Sequence, residues 1–121
     1  MKDFYRIGLD VGSTTAKVAV LDPDDKLVYS RYERHNAKVK ELVGSYFREI
    51  ARKFPNVRAA LCVTGSVGMS TAEDLDAEFV QEVVAATVFA RNRYPEAKAL
   101  IDIGGEDAKV VFFNKQGMEL R

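Results

Sequence analysis

Apolar and polar residues alternate on both sides of Gly12, and this alternation predicts two β-strands joined by a tight turn. Ile7 and Leu9 belong to the first strand, and the apolar residues from Val18 to Leu21 belong to the second. A proline-containing turn over residues 22–25 leads to a third alternating segment at 26–33. The pattern therefore predicts an antiparallel meander of three strands.

A helical period follows the meander. From Asn36, which we interpret as the N-cap, apolar residues recur every three or four positions as far as Phe54, and Pro55 ends the helix. Charged residues fill the positions between them. We interpret this charged face as solvated, and a partner-binding surface is the alternative.

The next apolar run, over residues 57–64, predicts a buried strand beside the meander. Thr64 and Gly65 open a loop at its carboxyl end, which either lines a ligand site or is an ordinary turn. The acidic segment at 70–76 has no assignable structure. A second helix is predicted from Glu78 to Tyr94, and Pro95 stops it.

A second hairpin is predicted from residues 97–103 and 109–113, and the chain ends at 115–121 before any further strand. An isolated hairpin is marginally stable and its edges invite pairing. We therefore expect it to dock on the sheet of the first half or to pair with another copy. The fold class is α/β, with a mixed sheet in which the meander is followed by a parallel strand and flanked by helices.

Composition narrows the possible partners. The chain of 121 residues contains 18 basic and 18 acidic residues, so no net charge recruits nucleic acid or a membrane surface. A single cysteine excludes an internal disulfide, and no amino-terminal apolar run is long enough for a signal peptide or a membrane span. A cytoplasmic protein that binds neither nucleic acid nor membrane is the expectation.

The first hairpin brings together the groups that a phosphate chain and a divalent metal require. They are one carboxylate, one turn glycine, three hydroxyls and one ammonium: Asp10, Gly12, Ser13, Thr14, Thr15 and Lys17. Backbone N–H groups of such a turn can surround an anion, and magnesium takes one or two carboxylates together with phosphate oxygens. The alternatives are a turn aspartate that caps its own backbone and an exposed, solubilising lysine.

A second copy of this arrangement lies near the end of the chain. Asp102, Gly104 and Lys109 occupy the same relative positions as Asp10, Gly12 and Lys17, and Gly105 follows where the first copy has Ser13. Asp102 is predicted to face the γ-phosphate as a metal ligand or to orient the attacking water. Of the adjacent acids Glu106 and Asp107, at least one points away or binds magnesium, and we assign Asp107 as a metal ligand.

The paired hairpins resemble those of the actin and sugar-kinase superfamily of ATPases, which has a ribonuclease H-like fold. Within it, residues 101–109 are similar to the motif of the ATPase activators of 2-hydroxyacyl-CoA dehydratases and benzoyl-CoA reductases. Thr64, Gly65 and Glu82 also match, whereas Ala86 stands where that family often has a histidine. The resemblance implies a first half at 1–95 and the opening hairpin of a second half at 96–121.

The same resemblance implies ATP and Mg²⁺ as cofactors, a homodimer, and a dehydratase or reductase as the partner enzyme. The complete activators also hold a [4Fe-4S] cluster, for which the ligands are not in this chain because it has one thiol. The chain alone is expected to lack substantial ATPase activity. Cys62 is predicted to be a buried, inert thiol, and His35 a surface loop residue.

Two other functions are compatible with the sequence. A sugar or acyl kinase of the same superfamily would transfer phosphate to a hydroxyl or carboxylate acceptor. A non-enzymatic scaffold or filament subunit would assemble in response to nucleotide. Phosphoryl-transfer assays and ATP-dependent assembly distinguish these from an activator.

Overall fold

Two β-sheets and three helices make up the described part of the chain, which in this computed structural model comprises residues 4–103, 108–114 and 117–120. Along the chain, the elements are β1 Tyr5–Val11, β2 Thr15–Leu21, β3 Leu27–Arg34, α1 Val39–Lys53, β4 Ala59–Thr64, α2 Gly68–Leu75, β5 Glu78–Phe79, α3 Glu82–Arg93, β6 Ala99–Ile103, β7 Ala108–Asn114 and β8 Gly117–Leu120. The chain divides into two compact units, of which the first ends at Val80 and the second begins at Gln81. The predicted halves, 1–95 and 96–121, refer to the complete fold and stay a prediction.

The sheet of the first unit has the strand order β3-β2-β1-β4-β5. β1 pairs antiparallel with β2, and β2 pairs antiparallel with β3, so the predicted meander is confirmed. After α1 the chain returns as β4, which runs parallel to β1. Parallel neighbours need a crossover connection, and the amphipathic helix α1 supplies it. The predicted mixed α/β architecture is therefore confirmed.

One face of this sheet is buried against α1. Leu9, Val18 and Val63 are among the buried strand residues, and Val43 and Tyr46 are among the buried residues of the helix. The alternate strand positions point to the opposite face, because side chains alternate with a period of two. The residues of the first hairpin that are predicted to bind phosphate lie at one end of this sheet, on a backbone that the core holds in place.

Tyr46 connects the core to the end of the first hairpin. Its side chain is fully buried, and its hydroxyl donates a hydrogen bond to the Ala16 carbonyl oxygen at 2.8 Å. We expect Tyr46→Phe to lower the free energy of unfolding by about 1–2 kcal/mol, because the buried carbonyl loses a donor. Urea unfolding of the two proteins measures this difference.

The matched control is Tyr32→Phe, since the Tyr32 side chain is exposed and its ring lies 5.0 Å from the ammonium of Lys17. Its free energy of unfolding should change by no more than about 0.5 kcal/mol. Equal effects of the two substitutions would mean that the hydrogen bond to Ala16 contributes nothing.

A polar cluster fastens α1 to β3 beside this core. The Glu49 carboxylate accepts hydrogen bonds from the Tyr29 hydroxyl and, at 2.7 Å, from the Arg31 guanidinium. These two donors lower the pKa of the Glu49 carboxyl. Burial, followed by the bond to Glu49, raises the pKa of Tyr29. Both shifts favour the charged carboxylate and the neutral phenol, which is the pair of states that holds the helix to the strand.

The second unit is a three-stranded antiparallel sheet, in the order β6-β7-β8, together with α3. Val111 of β7 is fully buried, and the Arg91 guanidinium lies over the Phe113 ring at 5.6 Å. None of the helices in the described ranges is long and apolar enough to cross a membrane.

The prediction that Asn36 is an N-cap is wrong. The helix begins at Val39 after Lys38, and Asn36 and Ala37 have φ values of 51° and 63°. An N-cap residue normally has extended backbone, and the left-handed conformation excludes this. The segment forms a separate turn, in which the Lys38 N–H donates to the His35 carbonyl oxygen at 2.7 Å.

The acidic segment left unassigned is largely helical, as α2, and Asp76 ends this helix in the left-handed conformation with φ 52°. The predicted helix from Glu78 begins too early, because Glu78 and Phe79 pair with β4 as a short parallel strand. The Phe79 ring also packs against Gly68. Backbone pairing and this packing override the local helical pattern, so α3 begins at Glu82.

The expectation that no further strand follows the second hairpin is also wrong. Residues 117–120 form β8, which pairs with β7 from Val111 to Asn114. β8 thus pairs with the β7 edge of the hairpin, for which a partner in the first half or in another copy was expected. Short strands with a single apolar alternation carry little sequence signal, which explains why this one was missed.

Candidate functional site

Asp10 and Lys17 face each other across the first hairpin, one on each strand. They are direct register partners, and the Lys17 Nζ lies 3.7 Å from the Asp10 Oδ2. Both side chains are partly accessible, with 37% of Asp10 and 46% of Lys17 exposed. An ion pair this exposed contributes little to folding. Carboxylate and ammonium are therefore both available to a ligand.

The turn of the hairpin is closed by one backbone bond, from the Gly12 N–H to the Thr15 carbonyl oxygen at 2.9 Å. Ser13 and Thr14 are exposed at its tip, and Thr15 is half-buried where β2 begins. The structure thus brings together all the residues that the sequence predicts for the first phosphate loop. Asp10 and Lys17 lie on the two strands that this turn connects.

The loop after β4 lies against this carboxylate. Thr64 is the register partner of Asp10 on the neighbouring parallel strand, and Gly65 follows with φ 106°. A Cβ at Gly65 would lie 2.2 Å from the Val11 carbonyl oxygen and 2.6 Å from the Asp10 Oδ1. The Val67 N–H donates to the same Val11 oxygen at 2.9 Å. Of the two interpretations of this loop, lining the site is the one the contacts support.

The residues around Asp10 fit a magnesium ion held chiefly by phosphate. The Thr64 hydroxyl is buried and has no hydrogen-bond partner within the described residues, although buried hydroxyls are normally paired. No cluster of three or more histidine, cysteine, aspartate or glutamate residues occurs in the described part of the chain. Magnesium does not need one, because it keeps several waters and takes one or two carboxylates with phosphate oxygens.

His35 is not a surface loop residue, contrary to the prediction from sequence. Only 8% of it is exposed, and its Nε2 lies 2.9 Å from the Gly12 carbonyl oxygen. Its backbone N–H donates to the Thr14 carbonyl oxygen at 3.0 Å. The pattern around residue 35 contains no second candidate ligand, so nothing in the sequence pointed to this contact. It depends on where β3 ends relative to the turn of the first hairpin.

A shallow concavity of about 210 Å³ adjoins the turn. The lining residues are Ser13, Thr14, Arg34, His35, Asn36 and Ala37. This concavity lies beside the tip of the first hairpin, on the side of β3. Asp10 is not among its lining residues and lies at the end of β1.

The second hairpin repeats the backbone register of the first. Asp102 pairs with Lys109 and Ile103 with Ala108, as Asp10 pairs with Lys17 and Val11 with Ala16. The connecting residues are 12–15 in the first hairpin and 104–107 in the second. Gly104, Gly105 and Asp107 lie outside the described residues, and for Asp102 and Lys109 the backbone pairing is what the structure describes.

Cys62 lies on β4 and is partly buried. Burial, and secondarily the charge of Glu78, raise the pKa of its thiol. A thiol with a raised pKa stays protonated and is a poor nucleophile and metal ligand. This agrees with the prediction of an inert thiol, although the side chain is not fully buried.

Known proteins resemble this chain in sequence and in structure. No family model matches the chain. It is 32% identical over 112 residues to the uncharacterized protein MJ0004 of Methanocaldococcus jannaschii, covering 92% of this chain and 44% of that protein. The chain thus spans less than half the length of this curated relative.

Two solved structures carry the comparison further. Component A of the (R)-2-hydroxyglutaryl-CoA dehydratase of Acidaminococcus fermentans superposes with a TM-score of 0.78 at 25% identity, covering 95% of this chain and 45% of that one. The activator of the 2-hydroxyisocaproyl-CoA dehydratase of Clostridium difficile, solved with ADPNP bound, gives 0.73 at 23% identity, with 98% and 46% covered.

The match covers the meander, the parallel strand and the second hairpin alike, because nearly the whole chain is aligned. The resemblance inferred from residues 101–109 is therefore confirmed. The chain has the actin-like ATPase fold, and within that fold it is similar to the activators of 2-hydroxyacyl-CoA dehydratases.

Proposed function

We propose that this chain is the phosphate-binding part of an ATP-hydrolysing activator that acts on a CoA-ester dehydratase or reductase. One observation carries the proposal: the first hairpin holds an accessible carboxylate beside an accessible ammonium. The Gly65 loop lies against that carboxylate, where a side chain at residue 65 would not fit. The similarity to two dehydratase activators supports the choice of partner.

In this proposal Asp10 holds Mg²⁺, directly or through water, and the hydroxyls and amides of the turn bind phosphate oxygens. The Lys17 ammonium exchanges its exposed contact with Asp10 for a phosphate oxygen, which costs little because solvent already screens the pair. Bound magnesium supplies neutralisation of the phosphate charge. In the proposal, Asp10 thus acts on the phosphates through the metal ion, and Lys17 acts on them directly.

The second hairpin contributes a matching set in the proposal. Asp102 orients the attacking water or binds the metal, Lys109 neutralises phosphate charge, and Asp107 is a further metal ligand. The equal register of Asp102 with Lys109 and of Asp10 with Lys17 supports this assignment. A homodimer and a cytoplasmic location remain predictions that follow from the resemblance and the composition.

The residues of this chain do not fit a [4Fe-4S] cluster. The sequence contains one cysteine, and the pKa of its thiol is raised, whereas cluster ligands are thiolates and usually number four. The part that this chain plays in the proposed activity is therefore the ATP step. Transfer of a low-potential electron to the partner enzyme belongs to the proposal through the resemblance to the activators.

Calorimetry and amide NMR on the 121-residue chain test the phosphate site. Magnesium pyrophosphate is the probe, because it carries the phosphates without requiring a nucleoside pocket. We expect saturable binding that depends on Mg²⁺ and moves the amide signals of Gly12, Ser13 and Thr14. Pyrophosphate binding with the same affinity in the absence of Mg²⁺, or binding that does not shift these amide signals, would contradict the proposal.

A further inference from the structure

The imidazole of His35 lies between two backbone segments that are distant in sequence. On one side its Nε2 lies 2.9 Å from the Gly12 carbonyl oxygen. On the other side the Ala37 N–H donates to its Nδ1 at 3.1 Å. An N–H donor at Nδ1 requires a bare ring nitrogen there, so the proton of the neutral ring is on Nε2 and donates to Gly12.

The turn that presents His35 has an unusual backbone. Asn36 and Ala37 both have positive φ, and the left-handed conformation is unfavourable for alanine. The ring nitrogen of His35 partly compensates by accepting from the Ala37 N–H. The strained turn thus holds the His35 ring beside the turn of the first hairpin.

The two bonds of His35 to the hairpin fix the direction of two peptide groups. The ring bonds the Gly12 carbonyl, and the His35 N–H bonds the Thr14 carbonyl. A trans peptide is planar and its N–H points opposite to its C=O, and no peptide bond in the described residues is cis. The N–H groups of Ser13 and Thr15 therefore point away from His35.

We propose that His35 is a positioning residue that aims the amides of Ser13 and Thr15 at a bound phosphate. Within the described residues, no backbone hydrogen bond uses the Ser13 N–H, so this donor is available to a ligand. Backbone N–H groups of a turn can surround an anion, and these two point to the side opposite His35. The identity of the anion rests on the proposed function. The new element is the positioning role of His35, which acts through the backbone of the hairpin without contacting the phosphate.

Two substitutions at position 35 separate positioning from simple support of the turn. In His35→Gln the side-chain amide can replace Nε2 as a donor to Gly12. In His35→Asn the side-chain oxygen can replace Nδ1 as an acceptor from the Ala37 N–H and leaves Gly12 without its partner. The first variant keeps the link to the phosphate loop, and the second keeps the turn.

The measurements are the dissociation constant for magnesium pyrophosphate and the Tm of each variant. We expect His35→Asn to weaken binding about tenfold, and His35→Gln to stay within about threefold of the parent, because one hydrogen bond is lost in the first and kept in the second. Equal affinities of the two variants, or weaker binding by the glutamine variant, would overturn the proposal.

A measurement without ligand keeps the proposal testable if pyrophosphate does not bind. Imidazole ¹⁵N shifts should show Nε2 protonated and Nδ1 bare, and amide hydrogen exchange at Ser13 and Thr15 should change in His35→Asn and not in His35→Gln. Failure to bind pyrophosphate with these signatures present would count against the phosphate site alone. A ring protonated on Nδ1, or unchanged exchange in His35→Asn, would overturn the role of His35.

Discussion

Gly65→Ala should destabilise the first unit by more than about 3 kcal/mol, the largest effect of any single methyl group that we expect in this protein. An added Cβ would lie 2.2 Å from the Val11 carbonyl oxygen and 2.6 Å from the Asp10 Oδ1, and the φ of 106° is unfavourable for alanine. Relief requires the loop after β4 to move away from β1. Urea unfolding with circular dichroism gives the free energy, and pyrophosphate binding should be lost with it.

Gly8→Ala is the matched control, because Gly8 lies in β1 of the same sheet and an added Cβ there meets nothing within 4 Å. Its stability should stay equal or rise by up to about 1 kcal/mol, since alanine loses less backbone entropy than glycine on folding. If Gly65→Ala unfolded at the same urea concentration as the parent, the close approach of this loop to Asp10 would be wrong.

Asp10→Asn is expected to weaken magnesium pyrophosphate binding by at least about 100-fold, which corresponds to about 2.7 kcal/mol. Asparagine keeps the shape of the side chain and removes the charge that magnesium requires. The fold should be unaffected, because the Asp10 side chain is 37% exposed and its ion pair with Lys17 is screened by solvent. Titration calorimetry with and without Mg²⁺ measures both the affinity and its dependence on the metal.

Asp24→Asn serves as the control for a lost carboxylate. Asp24 is an exposed residue of the turn between β2 and β3, where its N–H donates to the Asp22 Oδ1 at 2.8 Å. This bond uses backbone and survives the substitution, so affinity and stability should both remain at the parent values. If Asp10→Asn bound magnesium pyrophosphate as tightly as the parent, Asp10 would not be a metal ligand.

Much of the site was predictable because its residues are close in sequence. Asp10, Gly12 and Lys17 belong to one hairpin, and the register of a short hairpin follows from its turn and from the alternation of its strands. The two hairpins were predicted, and the structure adds the register, which places Asp10 opposite Lys17 and Asp102 opposite Lys109.

Local patterns failed where partners distant in sequence decide the conformation. Phe79 lies in a segment with helical periodicity, yet it pairs with Val63 and packs against Gly68. Asn36 is a residue type favoured at N-caps, but it adopts a left-handed backbone conformation next to the first hairpin. The residues next to Phe79 in sequence do not predict its pairing with β4. Those next to Asn36 do not predict its position beside the first hairpin.

The sequence by itself determined the meander, the helix α1 and the two hairpins, because hydrophobic periodicity and turn residues act over short distances. Only the tertiary structure decided that Gly65 lies against Asp10 and that the buried His35 holds the carbonyl of Gly12. Both contacts join segments brought together by strand pairing, in which β4 aligns with β1 and β3 with β2. Such long-range contacts form only when the whole sheet assembles.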